Sequence, residues 1–292
     1  MQRRYPIVER PLSPRDYDLP IGWWGWNWEP PVPMSITQLL EAGNMDARTA
    51  ALCGMTIESH GSMLIAAEQP HSGKTTTLTA LLDYLPNATR RVFIRGWAET
   101  FDFLGQTRPE STLLLANELS SHLPVYLWGP KAVRTFAALR RGYALASTLH
   151  ADSCDEALAQ LVDELGVDRN DLARVNLLMV MRIYATTGGG YARRVVSVHR
   201  IVPRGGPVAL PLVTHDERED SHAHDAPAEI DLLHSLRRSA DREGLAEELD
   251  RRSEQLTDLV DRGCRAIPEV RAALASFRGE SVPNDIRGDP VE

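Results

Sequence analysis

The residues best suited to chemistry form one short run, Glu-Gln-Pro-His-Ser-Gly-Lys-Thr, at positions 68–75. An apolar stretch that predicts a buried strand precedes this run, and a helical pattern from 75 to 85 follows it. A glycine-bearing loop between a strand and a helix can surround a phosphate group with backbone N–H groups. Within such a loop, Lys74 would reach the β- and γ-phosphate oxygens, and the Thr75 hydroxyl would bind Mg²⁺. The predicted phosphate-binding residues are Pro70, His71, Ser72, Gly73, Lys74, Thr75 and Thr76.

One position of this loop departs from the usual motif, which has glycine where this chain has Glu68. A carboxylate at that position would repel phosphates if it pointed inward and would be harmless if it pointed outward. The bulk of the side chain can also narrow the loop, since glycine permits close approach of the backbone. The run alone is therefore compatible with nucleotide binding and with a strand–turn–helix that binds nothing.

Short apolar stretches alternate with helical patterns over residues 34–203. Helices are predicted to begin at Ser35 and Ser153, because each is followed three residues later by glutamine or glutamate, as in a capping box. This alternation is typical of an α/β fold with a mostly parallel sheet that helices cover on both faces. Strands are predicted at 63–67, 91–94, 112–116, 143–148, 177–183 and 193–201, with a glycine hairpin at 188–190 between the last two.

The remaining segments differ in composition from this α/β region. Residues 1–33 form an arm rich in proline and tryptophan, whose indoles we expect to pack on the main domain or on a neighbouring subunit. Residues 204–228 are rich in Pro, Gly, His and Asp and predict an exposed acidic linker. Helical periodicity over 229–279 predicts a small C-terminal helical unit, and 280–292 is expected to be a flexible tail.

Three histidines of the predicted linker, His215, His222 and His224, lie near acidic residues in the sequence. Their irregular spacing and their linker setting favour solvated side chains over a metal site. The cysteines, Cys53, Cys154 and Cys264, are far apart and odd in number, which fits a reducing cytosol better than a disulfide framework.

The composition bounds location and partners. The formal net charge of −8 argues against nucleic acid as the main partner, because phosphate backbones are bound by basic surfaces. No run of about 18 apolar residues exists, and the N-terminus lacks the apolar core of a signal peptide. We therefore expect a cytoplasmic protein without direct membrane insertion, and DNA translocation is disfavoured.

The order of motifs after the phosphate loop resembles that of the motor ATPases of type II/IV secretion and type IV pilus systems. Leu-Leu-Leu-Ala-Asn-Glu at 113–118 resembles their Walker B strand, and Ser-Thr-Leu-His-Ala-Asp at 147–152 resembles their histidine box. Segments similar to those of the family also stand at 108–110, 129–132 and 188–194, the last as its closing β-hairpin. Residues 35–43 resemble the leader helix of the Tad- and archaellum-type branch, and 256–274 are loosely similar to its C-terminal helices.

This resemblance implies a RecA-like core that uses ATP and Mg²⁺. It implies that Glu118 holds or orients the metal shell, through water, and that His150 senses the γ-phosphate. It also implies a homo-oligomer, a hexameric ring in the family, that acts on an inner-membrane platform protein at the cytoplasmic face of the membrane.

Several departures from the family bear on activity. Arg95 and Gly96 replace the acidic pair assigned to water activation, which leaves Glu99 as the candidate base if its loop bends inward. Ser120 stands where the family usually has an arginine, and residues 1–33 are too few for the domain that normally covers the nucleotide. Arg95, Arg140 or Arg141 could substitute for missing arginines if a subunit contact delivered them.

Two functional hypotheses follow. The first is an oligomeric ATPase whose subunit motions drive pilus or secretion-apparatus assembly. The second is a catalytically degenerate paralogue that binds nucleotide weakly and has a regulatory or structural role beside an active motor, which Glu68 and the Arg95-Gly96 replacement favour. A stand-alone kinase has no support, since no lid or acceptor-site signature is present.

Overall fold

A single sheet organises the protein, whose computed structural model describes residues 17–20, 23, 33–121, 123, 126–186, 188–238 and 241–281. Within these residues the sheet has eight strands in the order β2-β3-β4-β1-β5-β6-β7-β8. The strands are β1 (Met63–Ala66), β2 (Arg90–Phe93), β3 (Thr112–Leu119), β4 (Ala144–Leu149), β5 (Leu177–Ala185), β6 (Tyr191–Pro203), β7 (Pro207–Asp216) and β8 (Ser221–His224).

In the order of the sheet, β2, β3, β4, β1 and β5 run parallel to one another. The sheet then continues through β6, β7 and β8, each antiparallel to the strand before it. The strand that precedes the phosphate loop, β1, lies between β4 and β5, with Met63 opposite Ala146 on one side and Leu177 on the other. The predicted α/β class with a mostly parallel sheet is confirmed.

Helices cover both faces of the sheet. They are α1 (Ile36–Glu41), α2 (Ala47–Glu58), α3 (Lys74–Leu81), α4 (Gly129–Ala138), α5 (Cys154–Ala159), α6 (Arg169–Leu172), α7 (Ala226–Arg237), α8 (Arg242–Asp261) and α9 (Ile267–Phe277). The predicted helix starts are confirmed: Ser35 accepts from Gln38 in a full capping box, and Ser153 accepts from the backbone N–H of Glu156. In the part of the chain that the structure describes, no helix has the length and apolar character needed to span a membrane.

Each face of β1 contributes to a separate apolar core, which is why this strand is apolar at every position. Met63 and Ile65 lie in a core shared with α1, α2, α3 and the C-terminal helices. Leu64 and Ala66 lie in the core on the opposite face, with side chains of α4, α5 and α6. A parallel strand buried on both faces needs such a continuous apolar run, and it holds the loop that follows in a fixed place.

The prediction of an exposed linker at 204–228 is wrong for most of this range, because β7 and β8 lie there. Leu212 and Val213 are buried in the first core, and β7 pairs with β6 along its length. The prolines that suggested a loop are tolerated for local reasons. Pro207 begins β7, and Pro211 lies opposite His199, where the pairing register shifts.

The three histidines of this segment are not solvated, which corrects that interpretation. His215 pairs with Asp220 at 2.9 Å, and His222 lies 2.9 Å from the carbonyl oxygen of Val195. His224 lies between two carboxylates, described below. All three side chains are partly buried. Among the described residues, no group of three His, Cys, Asp or Glu side chains could hold a metal ion.

The C-terminal helices pack directly on the α/β core. Leu249 of α8 and Leu274 of α9 belong to the same core as Met63, and Arg252 of α8 pairs with Glu58 of α2 at 2.6 Å. The helices predicted over 229–279 are present. They do not form a unit of their own, as the sequence predicts, because they share this core.

One tryptophan of the N-terminal arm is described. Trp23 is buried, and its indole N–H donates to the Thr79 hydroxyl of α3 at 3.3 Å. Its ring also meets Phe93 edge to face at 5.6 Å between centroids. Trp23 therefore packs on its own domain, as one of the two predictions had it. Trp24, Trp26, Trp28 and the predicted tail beyond residue 281 lie outside the described residues.

Candidate phosphate-binding site

The run at 68–75 forms a tight loop between β1 and α3, as predicted. Two of its residues have left-handed backbone conformations, His71 at φ +61° and Gly73 at φ +92°. Two observations favour glycine at position 73: its left-handed φ, and the 3.1 Å that would separate a Cβ there from Cδ of Arg193. Lys74 is the first residue of α3, so the loop leads straight into the N-terminus of that helix.

A cavity of about 580 Å³ borders this loop. All seven residues predicted to bind phosphate line it, together with Thr77, Glu118 and His150. Residues that the sequence analysis did not assign to the site complete its walls: Met34, Leu39, Asn44, Asn117, Tyr126 and Arg193. The cavity is large enough for a nucleotide.

Three ionisable side chains meet at one end of the cavity. Lys74 is only 7% exposed, and its Nζ donates to the carbonyl oxygen of Ala67 at 2.8 Å and lies 3.3 Å from Nδ1 of His150. Nε2 of His150 lies 2.5 Å from Oε1 of Glu118. Glu118 is on β3 and His150 directly follows β4, so two neighbouring parallel strands deliver the pair to the phosphate loop.

The surroundings set the charges of this group. A hydrogen bond to Glu118 raises the pKa of His150, against the opposing effect of burial. Burial lowers the pKa of the Lys74 ammonium, and the nearby Glu118 and Glu68 carboxylates oppose that shift. Phosphate oxygens would supply the negative charge that a desolvated ammonium lacks.

The donor set fits a magnesium ion. Thr75 and Glu118, the two predicted metal-binding residues, both line the cavity. Their hydroxyl and carboxylate oxygens are hard donors, and Mg²⁺ is commonly held by one or two such groups with substrate phosphates and waters completing its shell.

The structure does not bring Glu99 to this cavity and therefore does not support its predicted role as the catalytic base. Its carboxylate is buried and accepts hydrogen bonds from the Tyr17 hydroxyl at 2.8 Å, Arg95 N–H at 3.0 Å and Phe101 N–H at 2.6 Å. Burial and the Glu99 carboxylate raise the pKa of Tyr17, which keeps the phenol protonated as a donor. Glu99 holds its loop together and is not a residue of the cavity wall.

None of the three arginines considered as substitutes lines the cavity. Arg140 pairs with the buried Asp171 at 2.7 Å, Arg141 donates to the carbonyl oxygen of Leu104, and Arg95 lies over the Tyr17 ring. The arginine that does line the cavity is Arg193 of β6, whose Nε donates to the His71 carbonyl oxygen at 2.8 Å. Sequence proximity gave no signal for it, because 122 residues separate the two partners.

Glu68 takes the outward one of its two predicted orientations. It is exposed and is absent from the residues that line the cavity. Only its backbone carbonyl takes part in the site, 3.1 Å from Nδ1 of His150.

No protein-family model matches this chain. An uncharacterized protein of Methanocaldococcus jannaschii is 28% identical over 199 residues, which cover 58% of this chain and 34% of that protein. The chain thus spans about a third of the length of the curated relative that it matches.

Three solved structures are similar at low identity. The VirB11 ATPase from the Brucella suis type IV secretion system, in complex with sulphate, is 19% identical with a TM-score of 0.39, covering 68% of this chain and 67% of that one. The DotB ATPases of Yersinia pseudotuberculosis and Legionella pneumophila are 14% and 13% identical with TM-scores of 0.40 and 0.37. These two matches cover 85% and 82% of this chain and 63% and 64% of theirs. At these identities and TM-scores, the likeness supports no statement about activity.

Proposed function

We propose that this chain binds ATP with Mg²⁺ at the phosphate loop and acts as a motor-type ATPase subunit of a secretion or pilus-like assembly system. The observation that carries the proposal is the meeting of Lys74, Glu118 and His150 at one end of a cavity that the phosphate loop borders. The order of motifs along the chain, which resembles that of the secretion motors, supports the choice of this system.

Each residue has a role that its position allows. The backbone N–H groups of residues 70–73 and the N-terminus of α3 surround the phosphates, and Lys74 exchanges its bond to Ala67 for phosphate oxygens. Thr75 and Glu118 hold the magnesium ion, which neutralises phosphate charge during transfer. His150 donates a hydrogen bond or positive charge near the γ-phosphate while Glu118 orients its ring.

The second candidate, a nucleotide-binding subunit with little or no turnover, rests on a specific observation. Glu118 is the one acidic side chain among the described residues that line the cavity, and it is already paired with His150. A separate carboxylate that positions the attacking water is not among them. Loss of one such group commonly lowers the rate by about 10²–10³.

The partners belong to the proposal as well. We assign the chain to a homo-oligomer, a hexameric ring by resemblance to the family, that acts on an inner-membrane platform protein from the cytoplasmic side. A nucleic-acid partner is disfavoured by the net charge of −8.

Steady-state hydrolysis of Mg²⁺-ATP by the purified protein tests the proposal, with Lys74→Ala as the paired control. Turnover that disappears in Lys74→Ala supports the motor. ATP binding that is lost in Lys74→Ala without turnover in either protein supports the non-hydrolysing subunit. A wild-type protein that neither binds nor hydrolyses ATP overturns both.

A further inference from the structure

We infer that the nucleoside end of the bound nucleotide lies between α1 and β6, where Arg193 and Asn44 contact it. This subsite rests on the proposed function, since it needs a nucleotide whose phosphates occupy the phosphate loop. It would make Arg193 and Asn44 binding residues for the base and the sugar.

The order of the strands separates the cavity into two flanks. β1, which leads into the phosphate loop, has β4 and β3 on one side and β5 and β6 on the other. Glu118 and His150 reach the loop from the first side, and Arg193 reaches it from the second. The terminal phosphate must lie near Lys74, Glu118 and His150, so the nucleoside is directed to the flank of Arg193.

The second flank is a continuous wall because α1 is tied to β6. The backbone N–H of Val195 donates to the Asn44 carbonyl oxygen at 2.7 Å, and Nη1 of Arg194 donates to that of Ala42 at 3.1 Å. Gly43 between them has a φ of +67°, and a Cβ there would lie 3.1 Å from the Arg194 guanidinium. These bonds place the end of α1 beside Arg193, and Met34 and Leu39 add apolar surface to the same cavity.

Arg193 has the chemistry for this position. Its Nε donates to His71, and its Cδ packs against Gly73, so the base of the guanidinium is fixed at the edge of the phosphate loop. The side chain is exposed toward the cavity that it lines. A planar guanidinium can stack on an aromatic base and donate hydrogen bonds to its ring nitrogens.

Asn44 supplies the second, independent observation. It is only 3% exposed, it lines the cavity, and its Oδ1 is buried without a hydrogen-bond partner among the described residues. A buried acceptor without a donor destabilises a protein unless something binds it. The N–H or O–H donors of a nucleoside, which are the exocyclic amino group of the base and the ribose hydroxyls, have the required chemistry.

The test compares two ligands, ATP and inorganic tripolyphosphate, each with Mg²⁺, because only ATP carries a nucleoside. Arg193→Gln is expected to raise the Kd of ATP about tenfold or more, as for loss of a charge-assisted contact, and to leave that of tripolyphosphate unchanged. Asn44→Ala is expected to raise the Kd of ATP about threefold to tenfold with an unchanged or higher Tm, since the substitution removes an unpaired acceptor. Arg182→Gln is the matched control, because it removes one charge from the same hairpin outside the cavity. It should leave the Kd of both ligands unchanged.

The outcomes separate the two levels of the argument. Equal weakening of ATP and tripolyphosphate by Arg193→Gln would mean that Arg193 only supports the phosphate loop, and an unchanged Kd of ATP would equally overturn the subsite. A wild-type protein that binds no ATP overturns the proposed function, and the subsite with it. If 2′-deoxy-ATP binds more weakly than ATP and Asn44→Ala abolishes the difference, the Asn44 acceptor binds the ribose. The same result with ITP assigns it to the exocyclic amino group of the base. If neither analogue shows this pattern, Asn44 is not part of the subsite.

Discussion

His150 and His224 each lie beside a carboxylate, and their surroundings differ. His150 contacts one carboxylate, Glu118, and shares its other side with the ammonium of Lys74 at the wall of an open cavity. His224 lies between Asp46 at 2.7 Å and Glu229 at 2.6 Å. Glu229 is fully buried and also pairs with Arg48 at 2.9 Å.

The difference distinguishes a ligand-binding site from a structural contact between elements. The group around His224 joins the N-cap of α2 to β8 and α7, and each ring nitrogen already has a carboxylate partner. The group around His150 places the Lys74 ammonium and the His150 ring beside one carboxylate at the wall of a cavity, where phosphate oxygens would add the negative charge that stabilises the ammonium. A network of side chains that joins secondary-structure elements indicates architecture, and one at the wall of an open cavity indicates a ligand site.

The largest effect that can break this comparison is expected at Glu118. Glu118→Gln should lower ATP turnover about 10²–10³-fold, because the metal shell and the His150 ring lose their charged partner. We expect the free energy of unfolding to change less, since the group borders an open cavity. Hydrolysis assays with urea unfolding in parallel measure both. An unchanged turnover in Glu118→Gln would remove this residue from the chemistry.

An effect of intermediate size is expected from titration of His224. Burial alone would lower its pKa, but the hydrogen bonds to Asp46 and Glu229 raise it from 6.5 to about 9. Because the folded-state pKa lies above the unfolded one, the stabilisation is complete below pH 6.5 and is lost as the pH rises through about 9. We expect the free energy of unfolding to fall by roughly 2 kcal/mol over this window.

Urea unfolding of the wild type and of His224→Ala from pH 6.5 to 9.5 measures this dependence. The variant should be less stable at pH 6.5, and the difference between the two proteins should shrink toward pH 9.5. Its ATP affinity should equal that of the wild type. A difference in stability that stays constant with pH would show that His224 is not held in its charged form.

The smallest effect is expected at the edge of the phosphate loop. Glu68→Gln removes an exposed carboxylate near the phosphates and should lower the Kd of ATP about twofold, with the gain reduced at high salt. Glu110→Gln, which removes another exposed carboxylate outside the cavity, is the matched control. A weaker affinity in Glu68→Gln would mean that this side chain supports the loop.

Structural elements that depend on residues close together in the chain could be predicted from the sequence. The phosphate loop, the strands before and after it, and the capped helices follow from spacing and composition within about ten residues. The strands β7 and β8 could not, because β7 exists through its pairing with β6, and its prolines mask the apolar alternation. Glu99 shows the same limit at the level of one side chain, since its partner Tyr17 lies 82 residues away. Arg193 and Asn44 enter the cavity wall only through the contact of α1 with β6.

The packing of Trp23 has an optical consequence. Its indole N–H donates to the Thr79 hydroxyl, and that hydroxyl donates in turn to the carbonyl oxygen of Thr75 at 2.7 Å. Two hydrogen bonds thus connect an intrinsic fluorophore to the residue assigned to the metal ion. A shift of α3 on ligand binding would change the polarity around this indole, and the fluorescence of Trp23 would change with it.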